Sequence, residues 1–344
     1  MSRWAVVLAG GVGSRFWPLS TPERPKQLLP LVSDQPMLRE AVERLSPLVP
    51  VERVLVLTNA SLAPAVAALV PALPPENVVA EPRAGGTAAA LTWAAHEIAR
   101  RGGPADVMIS VHADWSIGDP AAFRATLARA TESAEAHASL VTVGVVPSRV
   151  DPGFGYIEPG DLLADGARRV ARFVEKPSRE RAADMIEAGY LWNSGIFVWR
   201  AGDLLEEVAA LTPEVGPALA AHPDDLGAFF AAVTPVSVDV GVLERSGRVL
   251  VLPGSFGWDD VGTWAALRRV RPADEGNNAT SGPVHLLDAT GNVVYTDGNP
   301  VVLYGVSDLV VVSRAGLSLV TTIERSTDLK TLLDSLPASL RERP

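Results

Sequence analysis

The stretch Trp4-Ala-Val-Val-Leu8-Ala9-Gly10-Gly11-Val12-Gly13-Ser14-Arg15 decides how the chain folds, because a short apolar run breaks abruptly into glycine. Such a run, bounded by a turn signal, reads as a strand buried on both faces. The glycines let backbone N–H groups come close to an anion, since no Cβ stands in the way. Arg15 and Lys26 follow, and the first 30 residues hold four basic side chains against one acidic one. Glycines alone would fit an ordinary strand-to-helix turn equally well. Two rival phosphate loops fail on residues. A dinucleotide fingerprint would need Gly or Ala where Phe16 stands, and a Walker loop would need Lys-Ser or Lys-Thr where the chain has Ser14-Arg15.

Working outward, Val54–Leu57, Val107–Val111 and Leu140–Val145 read as further buried strands, with Val170–Val174 and Arg248–Pro253 later in the chain. Apolar spacing predicts helices over Met37–Leu45, Ala60–Val70, Thr87–Arg100 and Pro120–His137. Strand and helix in alternation imply an α/β domain with a mostly parallel sheet covered on both faces, which binds ligands at the carboxyl ends of its strands. After about Arg271 the texture changes. Asn277-Asn278 and Ser281-Gly282-Pro283 read as a linker, and apolar runs then start at Val293, Val301, Leu309 and Leu317, eight residues apart. That spacing predicts a small all-β unit, either a meander or a few coils of a β-solenoid. Thr327–Leu336 reads as a closing helix. The chain therefore divides into segments 1–275 and 276–344.

Composition narrows the partners. With 344 residues, 47% of them apolar, the chain can bury a sizeable core, and a net charge of −10 argues against nucleic acid and for a small-molecule ligand. The absence of cysteine excludes disulfides, zinc-cysteine sites and thiol nucleophiles. No run reaches the ~18 apolar residues of a membrane span, and the short run after Arg3 does not read as a cleaved signal, so a soluble cytoplasmic protein is expected. Of the 30 basic residues only Lys26, Lys176 and Lys330 are lysine. Two of the three stand in Pro25-Lys26-Gln27 and Glu175-Lys176-Pro177.

The loop Gly10-Gly11-Val12-Gly13-Ser14-Arg15 with the following Pro25-Lys26-Gln27 resembles the signature of the nucleotide-sugar pyrophosphorylases. Trp17-Pro18-Leu19-Ser20 and Pro25-Lys26-Gln27 resemble the wording of the mannose-1-phosphate guanylyltransferase branch. Further segments agree in order: His112-Ala113-Asp114, Phe173-Val-Glu175-Lys176-Pro177, Trp192-Asn193-Ser-Gly195, Ser237-Val-Asp239 and Trp258-Asp259-Asp260-Val261-Gly262. The resemblance spans residues 4 to about 264. It implies a Rossmann-like, glycosyltransferase-A-type nucleotide-binding domain followed by a short left-handed β-helix.

It also implies the site. Leu8, Ala9, Gly10, Gly11, Gly13 and Ser14 would hold the nucleotide phosphates, with Glu81, Gly86 and Thr87 at the base. Gly155, Tyr156, Glu175, Lys176, Asn193 and Gly195 would hold the sugar phosphate. Asp114 and Asp260 would bind Mg²⁺, which takes one or two carboxylates and leaves room for substrate phosphates. An isolated Asp at either position would more often cap a turn, and the adjacent Asp259 is a second candidate. Arg15, Lys26 and Lys176 would act on the phosphates. The implied reaction joins GTP to mannose 1-phosphate, giving GDP-mannose and pyrophosphate. Two departures stand out. Glu81-Pro-Arg-Ala-Gly85-Gly86-Thr87 lacks the family's usual Asn, and Trp115 follows Asp114 where the family has His. The alternatives are glucose 1-phosphate with UTP or dTTP, and a non-catalytic nucleotide-sugar binder. A glycosyltransferase would want a second carboxylate two residues from Asp114, where His112 and Ser116 stand instead. A homodimer through the C-terminal unit is a further expectation, since a solenoid edge needs covering. Mannose-6-phosphate isomerase activity is not expected.

Overall fold

Strand β1 (Arg3–Leu8) is buried from Trp4 onward, as its uninterrupted apolar run requires. The computed structural model describes residues 1–11, 14–314 and 316–341, and of Ser14 the backbone alone. Gly13 lies outside the described residues. In chain order the next strands are β2 (Val54–Asn59), β3 (Val78–Glu81), β4 (Val107–His112), β5 (Ser116–Ile117), β6 (Leu140–Val145), β7 (Gly155–Leu162), β8 (Arg168–Glu175), β9 (Leu191–Arg200), β10 (Val249–Gly254) and β11 (Trp258–Asp259). Between them run helices α1 (Met37–Leu45), α2 (Ala63–Leu69), α3 (Gly86–Arg101), α4 (Pro120–His137), α5 (Arg179–Glu187), α6 (Ala201–Leu211), α7 (Gly216–Ala221) and α8 (Leu226–Ala232), and α9 (Trp264–Val270) follows β11. Helix α2 starts later than its apolar spacing predicts. Pro64, which has no N–H to donate, sits in its first turn, where none is needed.

By packing, the described chain divides into two compact units, neither contiguous. The first comprises Met1–Gly10, Ala41–Ala113 and Asp119–Trp258. It carries a sheet of nine described strands in the order β3-β2-β1-β4-β9-β6-β10-β8-β7. β1 is parallel to both its neighbours, with Val7 opposite Val56 on one side and Val111 on the other. The sheet is mixed rather than purely parallel, because β9 runs antiparallel to β4 and β6, and β8 antiparallel to β10 and β7. Strand direction left no mark in the sequence, since a strand buried on both faces is apolar throughout whichever way it runs. The alanine-rich α3 packs Ala88, Leu91, Trp93, Ala95 and Ile98 into a core shared with β1, β2 and α6. Helix α4 is capped by Asp119, whose Oδ1 accepts from the N–H groups of Ala121 and Ala122 at 3.0 and 2.9 Å.

The second unit comprises Gly11–Glu40, Asp114–Gly118 and Asp259–Pro344. Its strands are β12 (Ala279–Ser281), β13 (Val284–Leu287), β14 (Val293–Thr296), β15 (Val301–Tyr304), β16 (Leu309–Arg314) and β17 (Leu317–Thr322), followed by α10 (Leu329–Ser335). The last four strands begin where the eight-residue spacing puts them. Most do not pair with their sequence neighbours. β12 pairs in parallel with β14, β14 with β16 and β13 with β15, whereas β16 and β17 form an antiparallel pair. Val293 thus lies opposite Val310, and Val284 opposite Val301. The division by packing differs from the sequence division at 275/276, because Phe16, Trp17, Leu29, Val261 and Trp264 share one core with Val293, Val310 and Leu319. The Trp264 indole N–H donates to the Trp17 carbonyl at 3.1 Å inside that core.

The segment read as a linker contains β12 and a buried amide ladder. Asn278 donates to the Asp274 carboxylate and the Ala289 carbonyl, and its Oδ1 accepts from both the backbone and side-chain nitrogens of Asn292 at 2.9 Å. Asn292, fully buried, then accepts from the Leu309 N–H at 2.9 Å. Asparagine favours turns and ladder corners for the same reason, its short amide that mimics the backbone, so composition alone could not separate them. Asn292→Ala should strand the Leu309 N–H, while Asn278 Oδ1 keeps the backbone N–H of residue 292. A loss of about 1–3 kcal/mol in urea unfolding is expected, the cost of one buried unpaired group. A loss below about 0.5 kcal/mol would mean the ladder is not a structural element.

Candidate functional site

The sequence candidates fall in both units. In the second unit Pro25 leads into a single helical turn, Lys26–Leu28, all of it buried. The Lys26 Nζ donates to Asp114 Oδ2 at 3.0 Å and to the Asp260 carbonyl at 2.7 Å, and lies 5.9 Å from the centre of the Phe16 ring. Gln27 points its amide at the Gly11 carbonyl at 2.9 Å. The Pro-Lys-Gln wording thus has a physical reading. Lys26 joins the two aspartate motifs, and Gln27 anchors the glycine turn.

The neighbouring aspartates do different work. Asp259, 4% exposed, receives a two-pronged contact from Arg269 at 2.8 and 3.1 Å and accepts from the Val261 N–H at 2.9 Å. Those contacts commit its carboxylate and favour Asp260 as the metal candidate. A Cβ on Gly262 would stand 2.6 Å from Asp260 Oδ2 and 3.4 Å from an Arg15 nitrogen, so glycine there leaves room for both side chains. A Cβ on Gly11 would meet nothing within 4 Å, so packing within the protein does not demand this glycine. Trp115 is buried. Among the described residues no group of three or more Asp, Glu or His side chains gathers as a metal cage.

In the first unit the Ala9 backbone bonds to Leu57 and to the Thr58 hydroxyl, fixing the exit from β1. A Cβ on Gly10, too, would meet open space. Glu81 ends β3, and burial pushes its carboxyl up to about 7. Gly86 has a φ of +81°, and a Cβ on it would strike the Val236 carbonyl at 2.3 Å. The Thr87 hydroxyl accepts from the Val238 N–H at 2.9 Å. Both residues therefore lock the start of α3 to the 236–238 segment, whatever else they do.

Gly155, Glu175 and Asn193 come together: a Cβ on Gly155 would lie 2.7 Å from Glu175 Oε2 and 3.5 Å from the Asn193 Cβ. Gly195, at φ +74°, donates its N–H to Asn193 Oδ1 at 3.3 Å. The Tyr156 side chain, by contrast, is wholly buried, and its hydroxyl donates to the Asp151 carbonyl at 3.0 Å, so it faces the core. Trp192 and Phe197 are buried as well. Lys176 pairs with Glu175, and both side chains are more than half exposed, so this contact contributes little by itself. One residue that the sequence reading gave no role joins the group. Asn193 Nδ2 donates to Asp239 Oδ1 at 2.7 Å, which fixes the amide orientation. Burial raises the Asp239 carboxyl, the Asn193 contact opposes that, and the Glu175 charge adds to it. The Ser-Val-Asp motif was visible in the sequence, but its partner lies 46 residues away.

The pattern described as nucleotidyl transferase matches residues 4–277 of the chain. The chain belongs to the nucleotidyl transferase family. Mannose-1-phosphate guanylyltransferase of Klebsiella pneumoniae is 36% identical to it over 98% of this chain and 74% of the relative. The Escherichia coli protein of the same name gives the same figures. A crystal structure from Thermus thermophilus, named as a mannose-1-phosphate geranyltransferase, superposes with a TM-score of 0.89 at 35% identity, covering 97% of this chain and 99% of that one. A nucleotidyl transferase needs a nucleotide base, two phosphorylated substrates and a cation held together. The sites described supply acceptors, cations and carboxylates of the right kinds.

Glu81 offers a measurement that needs no substrate. Its carboxyl is raised from 4.5 to about 7 in the folded chain. The folded state therefore holds this proton more tightly than the unfolded state does, and the stability so gained is present below about pH 4.5 and lost as the pH rises through about 7. In urea unfolding, the difference in stability between parent and Glu81→Gln should shift against the parent across that window. A flat difference would mean that burial of the charge is not felt.

Proposed function

We propose that this nucleotidyl transferase transfers GMP from GTP to mannose 1-phosphate, giving GDP-mannose and pyrophosphate. The observation that carries the reading is the Lys26 ammonium, bonded at once to the Asp114 carboxylate and the Asp260 carbonyl. A cation already stands where two acidic motifs meet, and oxygen donors of this kind suit a hard divalent ion. Asp114 and Asp260 would hold Mg²⁺, and when bound the ion would neutralise phosphate charge. The names of the relatives supply the substrate pair.

A phosphate oxygen of the sugar phosphate attacks the α-phosphorus of GTP in line. The new P–O bond forms as the α–β bridge breaks, and pyrophosphate leaves with its electrons. The attacking oxygen is already ionised, so no side chain has to take a proton. Positioning and charge carry the catalysis. Arg15 meets the leaving pyrophosphate, Lys26 the α-phosphate and Lys176 the sugar phosphate. Leu8, Ala9, Gly10, Gly11, Gly13 and Ser14 follow the phosphates with their backbone. Glu81, ionised on binding, accepts from the guanine N1 and N2 donors, with Gly86 and Thr87 beside it. Glu175 and Asn193 take the sugar hydroxyls between Gly155 and Gly195, where Tyr156 contributes only backbone.

Residues 1–275 are in this reading the catalytic segment of a cytoplasmic enzyme. Residues 276–344 form a short left-handed β-solenoid, supported by the parallel pairing of every second strand. Its exposed Leu287, Val302 and Tyr304 would cover one another in a homodimer.

Pyrophosphate release decides the substrate. The GTP and mannose 1-phosphate pair should outpace UTP or dTTP with glucose 1-phosphate, and release should stop with chelator and return with Mg²⁺. Asp114→Asn and Asp260→Asn should each lower kcat/KM by about 10²-fold or more. Turnover only with glucose 1-phosphate, or none with either sugar, would overturn the assignment.

The lysines give a sharper test. Lys26 is 5% exposed and wedged against Phe16, so the wider planar guanidinium of Lys26→Arg cannot take its place without moving Asp114 or the Asp260 carbonyl. A loss of about 2–4 kcal/mol of transition-state stabilisation is expected, roughly 30-fold to 1000-fold in kcat/KM. The exposed Lys176 offers no such steric reason, so Lys176→Arg should lose less, and Lys330→Arg next to nothing. Steady-state kinetics showing Lys26→Arg within about threefold of the parent would refute the argument.

A further inference from the structure

Val261 is fully buried and sits at a φ of +47°. A β-branched residue in the left-handed region is an outlier, because its branched Cβ crowds the backbone on both sides. Such a conformation persists only where the surroundings enforce it, and it tends to occur where geometry matters for function.

The enforcement is visible in one peptide unit. The carbonyl of Asp260 and the N–H of Val261 belong to the same plane. Lys26 Nζ grips the carbonyl at 2.7 Å, and Asp259 Oδ1 grips the N–H at 2.9 Å. Charged groups of opposite sign thus hold the two ends of a single amide dipole. Asp259 is itself held by Arg269, in the last turn of α9, through two contacts at 2.8 and 3.1 Å. The rotation of that peptide plane sets the direction in which the Asp260 side chain leaves the backbone, and Gly262 keeps the space beside the Asp260 carboxylate open.

We infer that Asp259 and Arg269 are a positioning pair: they hold the Asp260–Val261 peptide in its unfavourable orientation so that the Asp260 carboxylate points to the cation. The inference rests on the reading of Asp260 as a metal-holding residue. In this assignment the adjacent aspartates divide the work, Asp259 aiming and Asp260 binding.

The pair can be tested without turnover. Mn²⁺ is titrated into the full chain without nucleotide, and free Mn²⁺ is counted from its spin-resonance signal. Asp259→Ala removes the grip on the Val261 N–H and should weaken Mn²⁺ binding roughly 10-fold to 100-fold, the usual cost of losing a group that orients a metal ligand. Asp259→Ala/Val261→Gly should regain most of that loss, because glycine adopts a positive φ without being forced. A purely structural pair predicts no such recovery. Where Asp259→Ala alone fails to fold by circular dichroism, Arg269→Gln, which leaves the Asp259 carboxylate loosely held, carries the same expectation of weakened binding and of recovery with Val261→Gly. Parent-like Mn²⁺ affinity in the destabilised pair, or no recovery with glycine, overturns the inference. Asp260→Asn separates the two levels. If it binds Mn²⁺ as the parent does, the metal reading falls first and takes the pair with it. If it loses Mn²⁺ while the pair variants do not, only the pair is refuted.

Discussion

Lys26 is 5% exposed, and its ammonium is met by the Asp114 carboxylate and the Asp260 carbonyl within hydrogen-bond reach, as a buried cation requires. Desolvating an ion is costly, and the cost is recovered only with good geometry on every remaining donor. The segments that carry these groups are therefore bound to one another by more than packing. Residues 26, 114 and 260 are far apart in the chain, yet one ammonium sets their spacing. It leaves the Asp114 carboxylate and the Asp260 carbonyl facing a common positive centre before any ligand arrives.

Two adjacent aspartates show how identical chemistry is separated by surroundings. Asp259 is enclosed and saturated by Arg269 and by a backbone N–H. Asp260 lies one residue on, and its peptide carbonyl is taken by lysine while Gly262 leaves space beside its carboxylate. Glu81 and Glu175 form a similar contrast in the other unit. The first is half-buried and pushed toward neutrality, and the second lies more than half exposed beside Lys176. Each carboxylate has the character its environment imposes.

Much of this was legible in the residues. The buried strands, the positions of α1, α3 and α4, and the starts of the last four strands follow from apolar periodicity and turn chemistry, because those signals are local. The reversed β9 was not legible, since direction leaves no trace in a strand covered on both faces. Asn278, one end of the ladder to Asn292, was read as part of a linker, because the same amide serves a turn and a ladder corner. In the candidate site, ordered motifs named Lys26, Asp114, Asp260 and Glu175. The work of Asp259 stayed hidden, because a bidentate partner ten residues on has no sequence signature. Tyr156 was placed in the sugar pocket by the family resemblance, and its burial shows that its side chain faces inward.

The core that backs Lys26 is built from both ends of the chain: Phe16, Trp17 and Leu29 share it with Val293, Val310 and Leu319. The C-terminal strands are thus the floor on which the segment from Phe16 to Leu31 rests, and they are not an independent appendage. This has a meaning for descent. A crossover near residue 275 that joined the front of one relative to the back of another would pair a floor with a loop that had never been fitted to it. Side chains on the two sides of that join must change in step, so the strands and the loop are expected to be inherited as one block even though more than 200 residues of sequence lie between them.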